Sequence, residues 1–307
     1  MSIDIGKAAF SGFGLIGRRP LSVLVWGLTY LLLLGLPSLY FLSQIAPAYM
    51  QLISTVEASH AAGQSPEEAN AAVMQMMPMF QKASALGWLI NGLGIVIRGV
   101  LIAAVLRAVI EPENKGFFYL RIGAQEGWQM LLALAIGVLT FVLFFVVFIV
   151  AAILAALMGS LGEAAGVARA LVILIAAVFC IIIVLRLSLA PAMTFKDRTF
   201  RLFESWTLTR SHTGALFAIV LILIVLVVLF ELIVCGGIFA YIFSNKDALK
   251  AHFQTHPDPS AIIKSMTPFI IGAVCVGSLL SGAFLAIFIA PFATVYKQLT
   301  AGAPAST

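Results

Sequence analysis

The sequence predicts an all-α membrane protein with six transmembrane helices. Two observations predict it. Of 307 residues, 62% are hydrophobic and only 10% are charged, against about 45–50% apolar and about 25% charged in soluble domains. The apolar residues also gather in six continuous runs, each of the roughly 20 residues that a helix needs to cross a bilayer. The runs do not alternate, which favours helices over barrel strands.

The runs lie near 21–45, 84–110, 129–158, 167–191, 214–243 and 268–296. Lys7, Arg18 and Arg19 ahead of the first run, with "APA" at 46–48, resemble a cleavable leader. The run exceeds the about 7–15 residues of a leader core, so the first span is expected to remain. Net charge is +5. The basic residues flank the spans, where they set orientation and give no reason to invoke nucleic acid. Lys7, Arg18, Arg19, Arg107, Lys115, Arg121, Arg186, Lys196, Arg198, Arg201, Arg210 and Lys297 fall on one side. Lys82, Arg169, Lys246, Lys250 and Lys264 fall on the other. Both termini are therefore expected on the cytoplasmic side.

A weak repeat organises the chain. "LAPAMTF" at 189–195 returns as "IAPFATV" at 289–295. "SPEEA" (65–69) and "DPSA" (258–261) read as helix starts, with Ser65 and Asp258 as N-caps. Before spans one, three and five stand "IGKAAFSGFGLIGRRP", "NKGFFYLRIGAQEGW" and "FRLFESWTLTRSHTG". Each mixes aromatic and basic residues. The expectation is three units, about 1–110, 111–195 and 196–307, in one polytopic domain. Each unit would be an interfacial helix followed by a helical hairpin.

Arg98 and Glu231 are the charges deep inside spans. Such residues usually face the protein interior and find partners. Arg98 shares a helix face with Asn91, Gly94 and Gly87, a small and polar row. The pair is a candidate intramembrane ion pair. The alternative is that each serves separately, through water or snorkelling. No further Asp, Glu or His lies within a span, so a relay across the membrane is not expected.

Other chemistry gives way to structural readings. Cys180, Cys235 and Cys275 lie in apolar runs and read as small hydrophobes. Met74, Met76, Met77 and Met79 could hold copper. "MTPFI" takes the equivalent place in the repeat with one methionine, which points to apolar bulk. His252 and His256 stand four apart but have no further ligand nearby, and prolines follow. No zinc-protease, nucleotide or serine-hydrolase motif is present. No metal or cofactor is expected. Span six carries two small-residue rows, Ala273, Gly277 and Ser281 beside Ser278, Gly282 and Ala286, as a helix-packing face. In the third lead-in, Phe200, Leu202, Phe203 and Trp206 fall on one side of a helical wheel, with Arg201 placed to pair with Glu204. Arg198, Arg201, Trp206 and Arg210 are the expected lipid-headgroup contacts.

The stretch "RLSLAPAMTFKDRTFRLFESWTLTRSHTGALF" (186–217) resembles bacterial inner-membrane proteins of the YciC-like family. It also resembles the membrane domain found with some glycerophosphodiester phosphodiesterases. The shared pattern is a span ending in proline, a charged turn, and a Glu-Ser-Trp-x-Leu-Thr helix that enters the next span. "AF", "RRP" and Val25-Trp26-Gly27 near the N-terminus are similar too. The resemblance implies a six-span inner-membrane protein without enzymatic activity of its own, since the hydrolase chemistry sits in a separate barrel. The expected role is in envelope or lipid homeostasis. The partners would be membrane lipids, a membrane protein or a second copy of the chain. The alternative is a transporter or channel for an ion, small molecule or lipid using Arg98 and Glu231.

Overall fold

A computed structural model describes residues 3–61, 63, 74, 77–157, 164–244 and 259–301. Among these residues the chain is helical, with no strand. Short helices α1 (Ile5–Ala9) and α2 (Ser11–Arg18) lead into α3 (Pro20–Tyr30), a π-helical turn (Leu31–Gly35) and α4 (Leu36–Ala61). Then come α5 (Met77–Ile110), α6 (Ala124–Leu157), α7 (Ala164–Leu187) and the short α8 (Ala190–Asp197). The last three are α9 (Glu204–Arg210), α10 (Thr213–Ser244) and α11 (Pro259–Thr300).

Six stretches are long and apolar enough to cross a membrane: Pro20–Val56, Ser84–Ile110, Ala124–Leu154, Ala170–Asp197, Thr213–Ile233 and Thr267–Thr300. The π turn in the first stretch has a local cause. Pro37 has no N–H and its ring would crowd the carbonyl four residues back, and a wider turn relieves that crowding.

The chain divides into two compact units. One holds the N-terminal segment up to Pro20, Arg98–Leu223 and the segment from Leu285. The other holds Leu21–Ile97 and Ile224–Phe284. Their boundaries fall inside helices, not between successive hairpins.

In the first unit, α6 packs along α7 and α8, and α9 packs on α7. Ala103, Leu106, Ala192, Phe195 and Ala293 form one buried cluster; Leu132, Leu187, Ala190 and Leu202 form another. The N-terminus is tied down there. Asp4 caps α1, its Oδ1 accepting from the Lys7 N–H (2.9 Å), and its own N–H donates to Gln298 Oε1 (3.1 Å). α2 then passes close to α11: a Cβ on Gly12 would stand 2.5 Å from the Ile287 Cα.

In the second unit α3 and α11 meet backbone to backbone. A Cβ on Gly27 would stand 2.1 Å from the Leu279 carbonyl oxygen, and one on Gly282 would stand 2.4 Å from that of Val23. Small residues at these positions allow the approach. Ser278 and Gly282 are buried, as is Ala286 in the first unit. Ala273 and Gly277 are exposed and Ser281 is half-buried.

Three local features differ from the sequence reading. The second lead-in is helical only from Ala124, where α6 itself begins. Residues 111–123 form turns, with positive φ at Gly116, Phe118 and Tyr119. Span four breaks at Ser188–Leu189, and Pro191 begins α8, where a missing N–H does no harm. Pro291, its counterpart in the repeat, lies inside the continuous α11. Finally, Arg201 pairs with Asp197 (2.8 Å), one turn before it, and not with Glu204. The N-cap assigned to Ser65, the cap at Asp258, Met76 and the His252/His256 pair lie outside the described residues. α11 does begin at Pro259.

The close approach is open to test. Gly27→Ala and Gly282→Ala should each destabilise the protein by about 1–3 kcal/mol through overpacking. Gly277→Ala, where a Cβ meets nothing within 4 Å, should be neutral or gain up to about 1 kcal/mol of helix propensity. Unfolding in detergent followed by circular dichroism reads the difference.

Candidate functional site

The polar groups of the first unit concentrate where spans end. Arg107 lies three residues before the end of α5, and Glu126 is the third residue of α6. They form a buried ion pair, with side chains 1% and 2% exposed. Arg107 Nη1 also donates to the Tyr119 carbonyl, and Nη2 to Gln125 Oε1 (3.2 Å). Its guanidinium stands 5.5 Å from the centre of the Phe195 ring. The Tyr119 hydroxyl donates to the Pro112 carbonyl (3.1 Å), and Arg121 Nη2 to Asn114 Oδ1 (2.6 Å). The loop between α5 and α6 is thus laced to a single arginine. Two glutamines of α6 then reach α8. Gln125 Nε2 donates to the Phe195 carbonyl (3.3 Å) and Gln129 Nε2 to the Pro191 carbonyl (2.9 Å).

The third lead-in does a second job. Breaking the helix at Ser188–Leu189 leaves the Arg186 carbonyl without its helical donor. Ser205 Oγ of α9 donates to it (2.7 Å), while the one Thr209 hydroxyl proton has the Ser205 carbonyl of its own helix closer (2.8 Å against 3.3 Å). Buried backbone carbonyls need such partners. The polar side of α9 therefore faces the protein, with Ser205 and Thr209 buried. Leu202 is buried as well, while Phe203 and Trp206 remain 69% and 43% exposed. The Arg186 guanidinium lies 5.7 Å from the centre of the Trp206 ring, and its Nε and Nη1 are buried without a hydrogen-bond partner. Arg198 ends α8 in the left-handed conformation (φ 53°) and is exposed, as is Arg210.

No family model matches this chain, and no curated protein or solved structure is significantly similar to it.

The sequence-derived site residues fall as follows. Of the four headgroup candidates, Arg198, Trp206 and Arg210 are exposed, and Arg201 is half-exposed and engaged by Asp197. Arg98 and Glu231 are both exposed and belong to different units. The Asn91 amide donates to the Gly87 carbonyl within its own helix (2.8 Å). Among the described residues no group of three or more His, Cys, Asp or Glu stands close enough to hold a metal ion.

The buried ion pair and the Arg186 contacts are not evident in the sequence. In the sequence, Arg107 and Arg186 read only as flanking charges, and Glu126 carries no assigned role. A signal was there: Gln125, Glu126 and Gln129 place three polar groups on the first turns of a span, just after an arginine that ends the span before.

Breaking a buried pair by removing one partner costs about 3–5 kcal/mol. Arg107→Met and Glu126→Leu should each destabilise by about that much, and the double variant should recover most of the loss. A double-mutant cycle from detergent unfolding measures the coupling.

Proposed function

We propose that this chain is a non-enzymatic, multi-pass protein of the bacterial inner membrane, of the YciC-like type, with both termini cytoplasmic. It serves envelope or lipid homeostasis by holding anionic lipid headgroups at its basic end. The observation that carries the reading is the surface around α9. Phe203 and Trp206 are exposed there beside exposed Arg198 and Arg210, close to where one span ends and the next begins. Aromatic rings at headgroup level with adjacent cations suit an anionic leaflet. Neither arginine has a carboxylate partner among the described residues.

Native mass spectrometry of the full chain tests this. Phosphatidylglycerol should be retained in preference to phosphatidylcholine. With each surface cation worth about 1 kcal/mol toward anionic lipid, Arg198→Gln/Arg201→Gln/Arg210→Gln should lower retention about tenfold or more. Absence of retained anionic lipid, or indifference to the triple variant, sinks the reading.

A second reading, transport through Arg98 and Glu231, is favoured by the exposure of both charges within apolar spans. It predicts flux in liposomes that Glu231→Gln abolishes. A wild type without flux for ions or small solutes removes it.

A further inference from the structure

The first unit contains a pocket of about 740 Å³ at the ends of three spans. Four cations line it: Lys7, Arg18, Arg19 and Lys297. No acidic residue appears among its described lining residues. The contrast with the rest of the unit is sharp. Arg107 and Arg201 each have a carboxylate, Glu126 and Asp197. None of the four pocket cations has one among the described residues. Like charges gathered around one cavity repel unless an anion joins them.

Three of the four cations are also held in place. Lys297 Nζ donates to the Val109 carbonyl (3.1 Å), which uses one of the three ammonium donors. Arg18 Nε donates to the Gly14 carbonyl (2.9 Å). The Arg19 guanidinium lies 6.0 Å from the centre of the Tyr119 ring, on the loop that Arg107 anchors. The Ser11 hydroxyl, on the same wall, is buried without a hydrogen-bond partner. Phe10, Val109 and Pro112 give the pocket an apolar wall, and Thr294 and Gln298 add polar groups beside Lys297.

We propose that this pocket binds an anionic phosphate ester, its phosphate among the four cations and its organic part against the apolar wall. Arginine and lysine together suit phosphate oxygens. The volume lies in the range of small-molecule sites, about 300–1,000 Å³, and exceeds what a bare phosphate ion needs. The pocket's place also suits an amphiphile: α2 leads into span one, Val109 is the last residue but one of span two and Lys297 lies near the end of span six. An anionic phospholipid headgroup and a soluble glycerophosphate share this chemistry. The site is separate from the α9 surface and stands or falls without it.

The test uses the full chain in neutral detergent, with phosphatidylglycerol and glycerol phosphate added separately and counted by native mass spectrometry. Melting temperature reports folding. Lys7→Gln/Arg18→Gln/Arg19→Gln/Lys297→Gln should lose at least about tenfold in retained ligand. Gly14→Leu keeps every charge but fills the pocket; its Cβ would sit 3.5 Å from Arg18 Nη2, a flexible tip that can yield. It should show a comparable loss. The ligand is counted on the Arg198→Gln/Arg210→Gln background, where the α9 surface no longer holds lipid; one copy should remain bound there, and the pocket substitutions should remove it. Retention of phosphatidylglycerol alone assigns the lipid, and retention of glycerol phosphate assigns the soluble ester. If Gly14→Leu melts like wild type and retains both ligands undiminished, the pocket is not their site. Loss on the Arg198/Arg210 variant with none on the pocket variants would leave the α9 reading intact and overturn this one.

Discussion

Burial of the Arg107 guanidinium is the constraint on which the first unit depends. An isolated charge in a low-dielectric interior costs several kcal/mol even after relaxation. Arg107 is 1% exposed, so its surroundings must supply an opposite charge and acceptors at once. Glu126 supplies the charge, and Tyr119 and Gln125 supply acceptors. Meeting these needs fixes where α6 must start relative to the end of α5. It also holds the intervening loop in a conformation that Phe118 and Tyr119 would otherwise avoid, since both have positive φ and bulky residues are strained there. Gln125, beside Glu126, and Gln129, about one turn further along α6, extend the same arrangement to α8.

Backbone carbonyls impose the second set of demands. A span that breaks near its end releases a carbonyl that lipid cannot satisfy. Here α9 supplies the Ser205 hydroxyl to the Arg186 carbonyl. This explains why a polar segment follows span four directly, and why its Ser205 hydroxyl turns inward while its aromatics stay outside. The apolar lengths of the spans make no such demands. In Ala124–Leu154 none of the most apolar window is buried, and residues such as Phe141 and Phe148 are largely exposed. That surface suits acyl chains and would be untenable in water.

Much of the architecture was legible in the sequence because continuous apolar length is a local property. The six stretches overlap the expected runs, and α11 starts at a proline that reads as a helix start. What was not legible depends on contacts between distant residues. The second lead-in resembles the first and third in composition, yet it forms turns, because an arginine on another helix holds its backbone. Pro191 and Pro291 sit in matching motifs and behave differently, since the Ser188–Leu189 break has a hydroxyl donor, Ser205, waiting on α9. The third lead-in is helical only from Glu204, so its wheel does not describe Phe200–Phe203: Leu202 is buried while Phe203 and Trp206 are exposed. Ser205 turns inward to a carbonyl that exists only once α7 has ended.

The same distinction separates the cations by role. Counting arginines and lysines by side treats Arg107, Arg201, Arg18 and Lys297 alike. In the folded unit they differ by what they face. Arg107 and Arg201 are neutralised by carboxylates and serve packing. Arg18 and Lys297 face a cavity and have only backbone carbonyls as protein partners among the described contacts. A carbonyl positions a cation without cancelling its charge. The field at this end of the molecule therefore comes from the residues whose partners are neutral, and any anion drawn to it would meet those first. Where a cation falls along the chain says only that it flanks a span; whether its charge remains available is decided by its neighbour.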